Sequence, residues 1–427
     1  MEEFHLSKVP PRSITDLIEF VRRNSPFYAS FWGDIYPKSL EDLPIVDHAL
    51  FWDQNTCLES QVVTSRQKDG IIFTTGGTTA NPKVSFYSRD ELHSVVITLA
   101  ECLRRCGVIP GDRVANLFYT GDLYGSFLLY ILSIHHLPTG AIQLPIAGHI
   151  PVASMAQHIT TCAATVLLGT VTTLSQLASH LATPLPTIRL LLFSGEACYP
   201  DQVPALTTAF PNATLHSLVY GAMDIGVVGL PPEKNPTPND LRVHEVNAPE
   251  VKVEIINPSG QPTTTPDEPG RLVVTHATRR LMPIVRYPSG DRAEWVDYSR
   301  GLFRILGRDR TAIRLGPVSI DFVDLRKVIV EVMGERVVGA VQAVIEREEG
   351  RDRLTVVVGG GDIPETEGER LELEGGIAEG LGRARPMWRE HVERELVGPL
   401  KVRFGGLVPV SGRSGKCVEV VDLRGTT

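Results

Sequence analysis

The sequence predicts an α/β protein: a large N-terminal domain with doubly covered sheets and a β-rich subdomain, then a small α+β C-terminal domain. Three observations carry this. Short apolar runs alternate with helical stretches from about Gly125 to Phe193, the pattern of a parallel sheet covered on both faces. From about Glu250 the pattern changes to alternating strands. Charge gathers late: 40 of the 121 residues from 307 on are charged, against 52 of the first 306. A chain of 427 residues has room for roughly two or three cores, and the shift in composition divides it at 1–306 and 307–427.

Taken in order, the sheet-forming stretch reads as helix Gly125–Leu137, strand Ala141–Ile146, helix Val152–Cys162, strand Ala164–Leu168, helix Val171–Leu181 and strand Ile188–Phe193. The 66 residues from Leu123 to Ile188 contain no Lys, Arg, Asp or Glu. Histidines and prolines interrupt the stretch, and its longest clean apolar run is Phe127–Ile134, so it cannot supply the roughly 20 residues of a membrane-spanning helix. VKVEII, a Pro-Ser-Gly turn and RLVVTH read as hairpin strands. Beyond 307, a helix is expected near Asp321–Met333, strands near Val337–Ile345 and Leu354–Val358, and a helix near Pro386–Leu396.

Composition bounds the function. A net charge of −8 gives no reason to expect nucleic-acid binding. The six cysteines are scattered, which points to a reducing, cytoplasmic setting rather than a disulfide framework. The acidic start without an apolar stretch is not a signal peptide. The twelve histidines and six cysteines show no metal-ligand spacing.

The strongest local signal is Ile71–Lys83, IIFTTGGTTANPK. A strand runs into Thr74, Thr75, Gly76, Gly77, Thr78 and Thr79 and closes on Lys83. Glycines let backbone N–H groups approach phosphate oxygens, threonine hydroxyls add donors, and the lysine adds positive charge. The spacing is not that of a Walker A loop. Further motifs follow in order: Ser194-Gly195-Glu196-Ala197, Tyr220-Gly221-Ala222-Met223-Asp224, Arg286-Tyr287-Pro288-Ser289-Gly290-Asp291, Gly307-Arg308-Asp309-Arg310, and VPVSGRSGK ending at Lys416.

This ordered set resembles the adenylate-forming superfamily of acyl-CoA synthetases, luciferases and peptide-synthetase adenylation domains, nearest to the phenylacetate–CoA ligase type. The resemblance extends from about residue 15 to the end. It implies the adenylate-forming enzyme fold with a mobile C-terminal domain, and ATP, Mg²⁺ and coenzyme A as cofactors. By position, the 74–83 loop would hold the ATP phosphates. Gly195, Glu196 and Ala197 would lie along the adenine, with Tyr220 against the purine and Gly221, Ala222 and Met223 beside it. Asp224 stands where the family has glutamate and would hold Mg²⁺, a task an aspartate can perform. Asp291 and Arg308 would face the ribose, and Lys416 would bridge the attacking carboxylate and the α-phosphate. Arg310 occupies the hinge position, and Phe118, Tyr119, Gly121 and Tyr124 would line the acyl pocket.

The implied activity is ligation of an aryl or other compact carboxylic acid to coenzyme A through an acyl-adenylate. Two alternatives stay open. The adenylate could pass to an amine or a carrier-protein thiol, or the chain could be a catalytically silent nucleotide-binding or scaffold protein. A carrier protein and a second copy of the chain stay open as partners; a membrane and nucleic acid are not expected. Plainer readings also exist for single residues: Asp224 as a helix N-cap, Asp291 as a turn residue, Lys416 as a solvated lysine. The chain departs from the family pattern at Met223, where Ser or Thr is usual, at Ala80-Asn81 in the phosphate loop, at Arg310, and at Gly316, one residue early.

Overall fold

The computed structural model describes residues 9–74, 83–138, 140–237, 240–308, 312–315, 318–336, 338–348, 350–359, 362–405 and 414–424. The expected parallel sheet forms. In spatial order its strands are Ile142–Pro145, Arg113–Asn116, Val166–Gly169, Leu190–Ser194 and Thr214–Ala222. Alternate residues of a strand point to opposite faces, and both faces here are apolar. Val114, Val166, Leu168, Leu190 and Leu192 join one core with Leu129, Tyr130 and Ile134 of the helix Ser126–His135. Ala115, Leu167, Leu191 and Phe193 join another with Met155 and Ile159 of the helix Val152–Thr161 and with Leu174 and Leu177 of Val171–His180. The strand expected from Ala164 opens at Val166, because the Ala164 N–H still bonds the Ile159 carbonyl at 3.0 Å and closes the preceding helix.

Thr214–Ala222 is the seam of the sheet. Its other neighbour, Gly226–Leu230, runs antiparallel to it. The sheet then continues antiparallel through Val243–Val246, Leu302–Arg308, Tyr287–Asp297, Gly270–His276, Val251–Ile256 and Pro262–Thr263. This is the β-rich part read from VKVEII and RLVVTH. Its core takes in the N-terminal helices Ile14–Asn24 and Pro26–Trp32. Arg286 ties the sheet to that N-terminal segment: it pairs with Glu254 at 2.9 Å and donates to the carbonyls of Glu41 and Leu43.

The charge-rich end forms a four-stranded sheet, Lys401–Phe404, Arg351–Gly359, Ala340–Glu348 and Val420–Asp422 in spatial order. The fully buried members of its core all lie between Ile313 and Leu400. The helices Phe322–Met333 and Pro386–Glu393 are close to expectation. Glu367–Ala384 was not anticipated. Its five glycines weaken helix propensity, yet two of them allow it to pack. A Cβ on Gly376 would lie 2.9 Å from Val332, and one on Gly380 2.7 Å from Val328, so the helix seats a glycine seam on the valines of Phe322–Met333. Among the described residues no helix is long and apolar enough to cross a membrane.

Candidate active site

Loops at the carboxyl ends of parallel strands are where such sheets bind ligands, and two of the sequence motifs sit there. Gly195, Glu196 and Ala197 directly follow the strand Leu190–Ser194, while Tyr220, Gly221 and Ala222 end Thr214–Ala222. Met223 and Asp224 occupy the turn into Gly226–Leu230. Asp224 is therefore not a helix cap. Its carboxylate is 8% exposed, accepts from the Tyr287 hydroxyl at 3.0 Å and from the Ile225 N–H at 3.1 Å, and keeps acceptor capacity for a cation. Tyr287 in turn accepts from Trp52 Nε1 at 2.8 Å. The Tyr87 hydroxyl donates to the Met223 carbonyl at 2.7 Å and fixes the turn from behind. The Met223 side chain lies inward: a Cβ on Gly125 would be 2.8 Å from both Met223 Sδ and Phe73 Cε1. Where the resemblance noted above implies a hydroxyl donor, this side chain packs against Gly125 instead.

Asp291 lies inside the strand Tyr287–Asp297, opposite Arg308 in register, so it is not a turn residue. Arg308 Nε is 3.2 Å from its Oδ1, and the Tyr220 hydroxyl donates to Oδ2 at 2.6 Å. Burial pushes the Asp291 carboxyl above the usual carboxylate range, against the pull of Arg308. Asp291 holds the Arg308 guanidinium more firmly protonated than usual. Tyr220, Asp291 and Arg308 thus form one connected cluster a few residues from Asp224.

Thr74 ends the strand Ile71–Thr74, its N–H donating to the Leu123 carbonyl at 3.0 Å. Thr75, Gly76, Gly77, Thr78 and Thr79, with Ala80 and Asn81, lie outside the described residues, as do Arg310 and Gly316. Lys83 Nζ lies 2.7 Å from His48 Nε2 and 5.3 Å from the centre of the Trp52 ring. Burial lowers its pKa, while the field of Asp224 opposes the shift.

Lys416 reaches into this cluster from the far end of the chain. A Cβ on Gly195 would lie 2.8 Å from both Cε and Nζ of Lys416, so the ammonium sits directly against this glycine. Its charge acts on the carboxylates of Glu196 and Asp291. The Glu196 side chain accepts from the Thr172 N–H and hydroxyl, both at 2.8 Å, and from the Cys417 N–H at 2.6 Å. Burial raises its pKa.

The four acyl-pocket candidates part company. Phe118 is 1% exposed and stacked on Tyr130 at 4.7 Å. Tyr124 is 8% exposed, its N–H bonded to the Gly121 carbonyl at 2.9 Å. Tyr119 is half-buried and gripped by two glycines. A Cβ on Gly148 would lie 2.6 and 2.7 Å from its ring, and one on Gly415 would lie 2.7 Å from Cζ and closer still to Cδ2 and Cε2.

Sequence reasoning missed His48 and Trp52, which lie well before the motifs in the chain, and Tyr87, four residues past Lys83; none carries a spacing signal. It named Tyr287 only as part of a motif, and it looked for the role of Glu196 in its backbone.

The family model described as AMP-binding enzyme matches residues 40–282. No curated protein is a significant match. Among solved structures, 2-hydroxyisobutyryl-CoA ligase in its postadenylation state with R3-HIB-AMP is similar at 19% identity, with a TM-score of 0.68, over 95% of this chain and 87% of that one. The same ligase in its thioesterification state with 2-HIB-AMP and CoA gives 20% identity and a TM-score of 0.58, over 96% and 88%. ATP-bound MatB from Rhodopseudomonas palustris gives 18% identity and a TM-score of 0.55, over 85% and 69%.

Proposed function

The chain belongs to the AMP-binding enzyme family, and from that premise we propose that it is an ATP-dependent carboxylic acid–CoA ligase working through an acyl-adenylate. The observation that carries the reading is the convergence of Lys416, Asp291, Arg308, Tyr220 and Asp224 on the carboxyl ends of the parallel strands. Similarity to a 2-hydroxyisobutyryl-CoA ligase and to ATP-bound MatB supports it.

In the first half-reaction the substrate carboxylate attacks the α-phosphorus of ATP. An O–P bond forms and pyrophosphate leaves. Lys416, held over Gly195, places a fixed positive charge where negative charge grows in the transition state. Tyr220 would pack on the purine, and Asp291 and Arg308 would take the ribose hydroxyls. Lys83 and the 74–79 loop would hold the β- and γ-phosphates. Asp224 would hold Mg²⁺, which commonly binds one or two carboxylates plus substrate phosphates and neutralises phosphate charge when bound. In the second half-reaction the coenzyme A thiol attacks the acyl carbonyl, the thioester forms and AMP leaves. The higher similarity to the postadenylation form of the hydroxyisobutyryl ligase supports reading the present arrangement as one from the adenylation side of the cycle.

We place the domain division at 306/307 and the hinge at Arg310. The acid is aryl or compact, of the phenylacetate type, with Tyr119 and Tyr124 nearest the acyl group. The enzyme works in the cytoplasm.

Pyrophosphate exchange into ATP across a panel of aryl and short acyl acids tests the reading. Exchange with at least one acid, lost in Lys416→Ala while thiolysis of the supplied adenylate persists, is expected. ATP binding without exchange for any acid would overturn it in favour of a silent nucleotide-binding protein. Exchange without coenzyme A consumption would favour an amine or carrier-protein thiol as acceptor.

A further inference from the structure

Hydrogen bonds join the small domain to residues 196–201 of the large one, beside the contacts that Gly415 and Cys417 make with Tyr119, Thr170 and Thr172. We propose that Arg326 and Asp201 form a docking latch that positions Lys416 for adenylate formation and must open for thioester formation. The proposal rests on the ligase reading above.

Arg326 lies on the helix Phe322–Met333, in the body of the small domain. Its guanidinium reaches across to Asp201, with Nη2 at 2.5 Å and Nε at 3.3 Å from the two carboxylate oxygens. The side chains are 5% and 12% exposed. The same guanidinium lies 4.3 Å over the Tyr199 ring, and Nη2 also donates to the Gly339 carbonyl at 3.0 Å. Planar stacking and a bidentate fork are the features that distinguish arginine from lysine at such a site. Beside this pair the Tyr199 hydroxyl donates to Glu419 at 2.9 Å, and Glu196 takes the Cys417 N–H at 2.6 Å. Cys417 and Glu419 follow Lys416 in the chain, so the segment that receives Arg326 also holds the residues just after the lysine.

The chemistry suits a contact that must both form and break. A buried ion pair gains attraction but gives up the hydration of both charges, and the two terms nearly cancel. On separation each partner regains water, so the pair fixes orientation without holding the domains shut. An apolar patch of the same size would hold them more firmly and leave hydrophobic surface exposed when they part.

Arg326→Met, Arg326→Lys and Asp201→Asn in the full chain test the latch by two readouts. One is kinetic: pyrophosphate exchange, set against single-turnover thiolysis of supplied adenylate. The other is the distance distribution between spin labels on Cys57 and on Met387→Cys, both exposed positions on opposite domains. Loss of one partner of a buried, hydrogen-bonded charge pair predicts exchange lower on the order of thirtyfold or more in Arg326→Met and Asp201→Asn. Arg326→Lys should fall between them and wild type, thiolysis should persist, and the label distances should broaden in the same order. Unchanged distances and exchange, or equal loss of both half-reactions, would overturn the latch. If the wild-type chain exchanges with no acid, the ligase reading fails separately, and the label distances alone decide the latch.

Discussion

Gly415→Ala isolates the docking of the lysine loop in one methyl group. Gly415 has φ +67°, a region that costs an L-residue about 1–2 kcal/mol. The new Cβ would also overlap the edge of the Tyr119 ring, 2.7 Å from Cζ and closer to Cδ2 and Cε2. Gly148 packs against the same edge of the ring from within the large domain. Overpacking of this kind costs about 1–3 kcal/mol. The docked state should therefore lose about 2–5 kcal/mol, and at 1.4 kcal/mol per tenfold the ratio of docked to undocked chains falls by roughly 30- to 3,000-fold. Pyrophosphate exchange at saturating acid, using the acid that supports exchange in the wild-type chain, should fall with it. Thiolysis of supplied adenylate should not. Adding Tyr119→Ala removes the obstacle and should restore most of the overpacking loss, leaving the backbone strain. Normal exchange in Gly415→Ala, or a double variant no better than the single one, would refute the reasoning.

Two further outcomes concern stability. Glu254→Gln leaves Arg286 buried without its counter-charge; their side chains are 4% and 6% exposed, and such losses cost about 3–5 kcal/mol. Urea unfolding should show a lower midpoint with unchanged slope, and a loss below about 1 kcal/mol would contradict a dry pair. His244 and His276 are buried and held down to about 4 and about 3. Both stay neutral in the folded chain but take protons on unfolding below their ordinary value of 6.5. Stability should thus be full above pH 6.5 and fall as pH drops, by up to about 1.4 kcal/mol per pH unit for each histidine. Denaturation between neutral pH and the carboxylate range measures this, and His276→Gln should remove one proton from the slope.

The parallel strands were legible because each is a short apolar run, and the cluster of Tyr220, Asp291 and Arg308 because each belongs to a short motif with a chemical reason for its residues. What the sequence hid depends on contacts between distant parts of the chain. Glu367–Ala384 reads as a poor helix until Val328 and Val332 supply the reason for Gly376 and Gly380. Lys83 was expected as a phosphate-loop cation, but its neighbour His48 lies 35 residues away with no pattern linking the two. Glu196 was expected to matter through its backbone, yet its carboxylate bridges Thr172 and Cys417. Met223 looked like a missing donor; its sulfur fills the space over Gly125. Arg326 drew no notice at all, because a lone arginine on an amphipathic helix looks like surface until Asp201 and Tyr199 are placed against it.

The chain after Lys416 is stitched to the small sheet almost at once. Cys417 Sγ donates to the Val341 carbonyl at 3.6 Å, Gln342 donates to the Val418 carbonyl at 2.8 Å, and the Ala343 N–H bonds the Glu419 carbonyl at 2.8 Å. Val420–Asp422 then pairs in parallel with Ala340–Glu348. The lysine is thereby tied to the small sheet, and swinging it clear of Gly195 would mean turning that sheet with it. On the ligase reading proposed above, its departure would belong to collective domain motion on the microsecond-to-millisecond scale, not to the faster rattling of a loop. The enzyme would then keep time by one clock, with lysine retreat and thiol access being the same event.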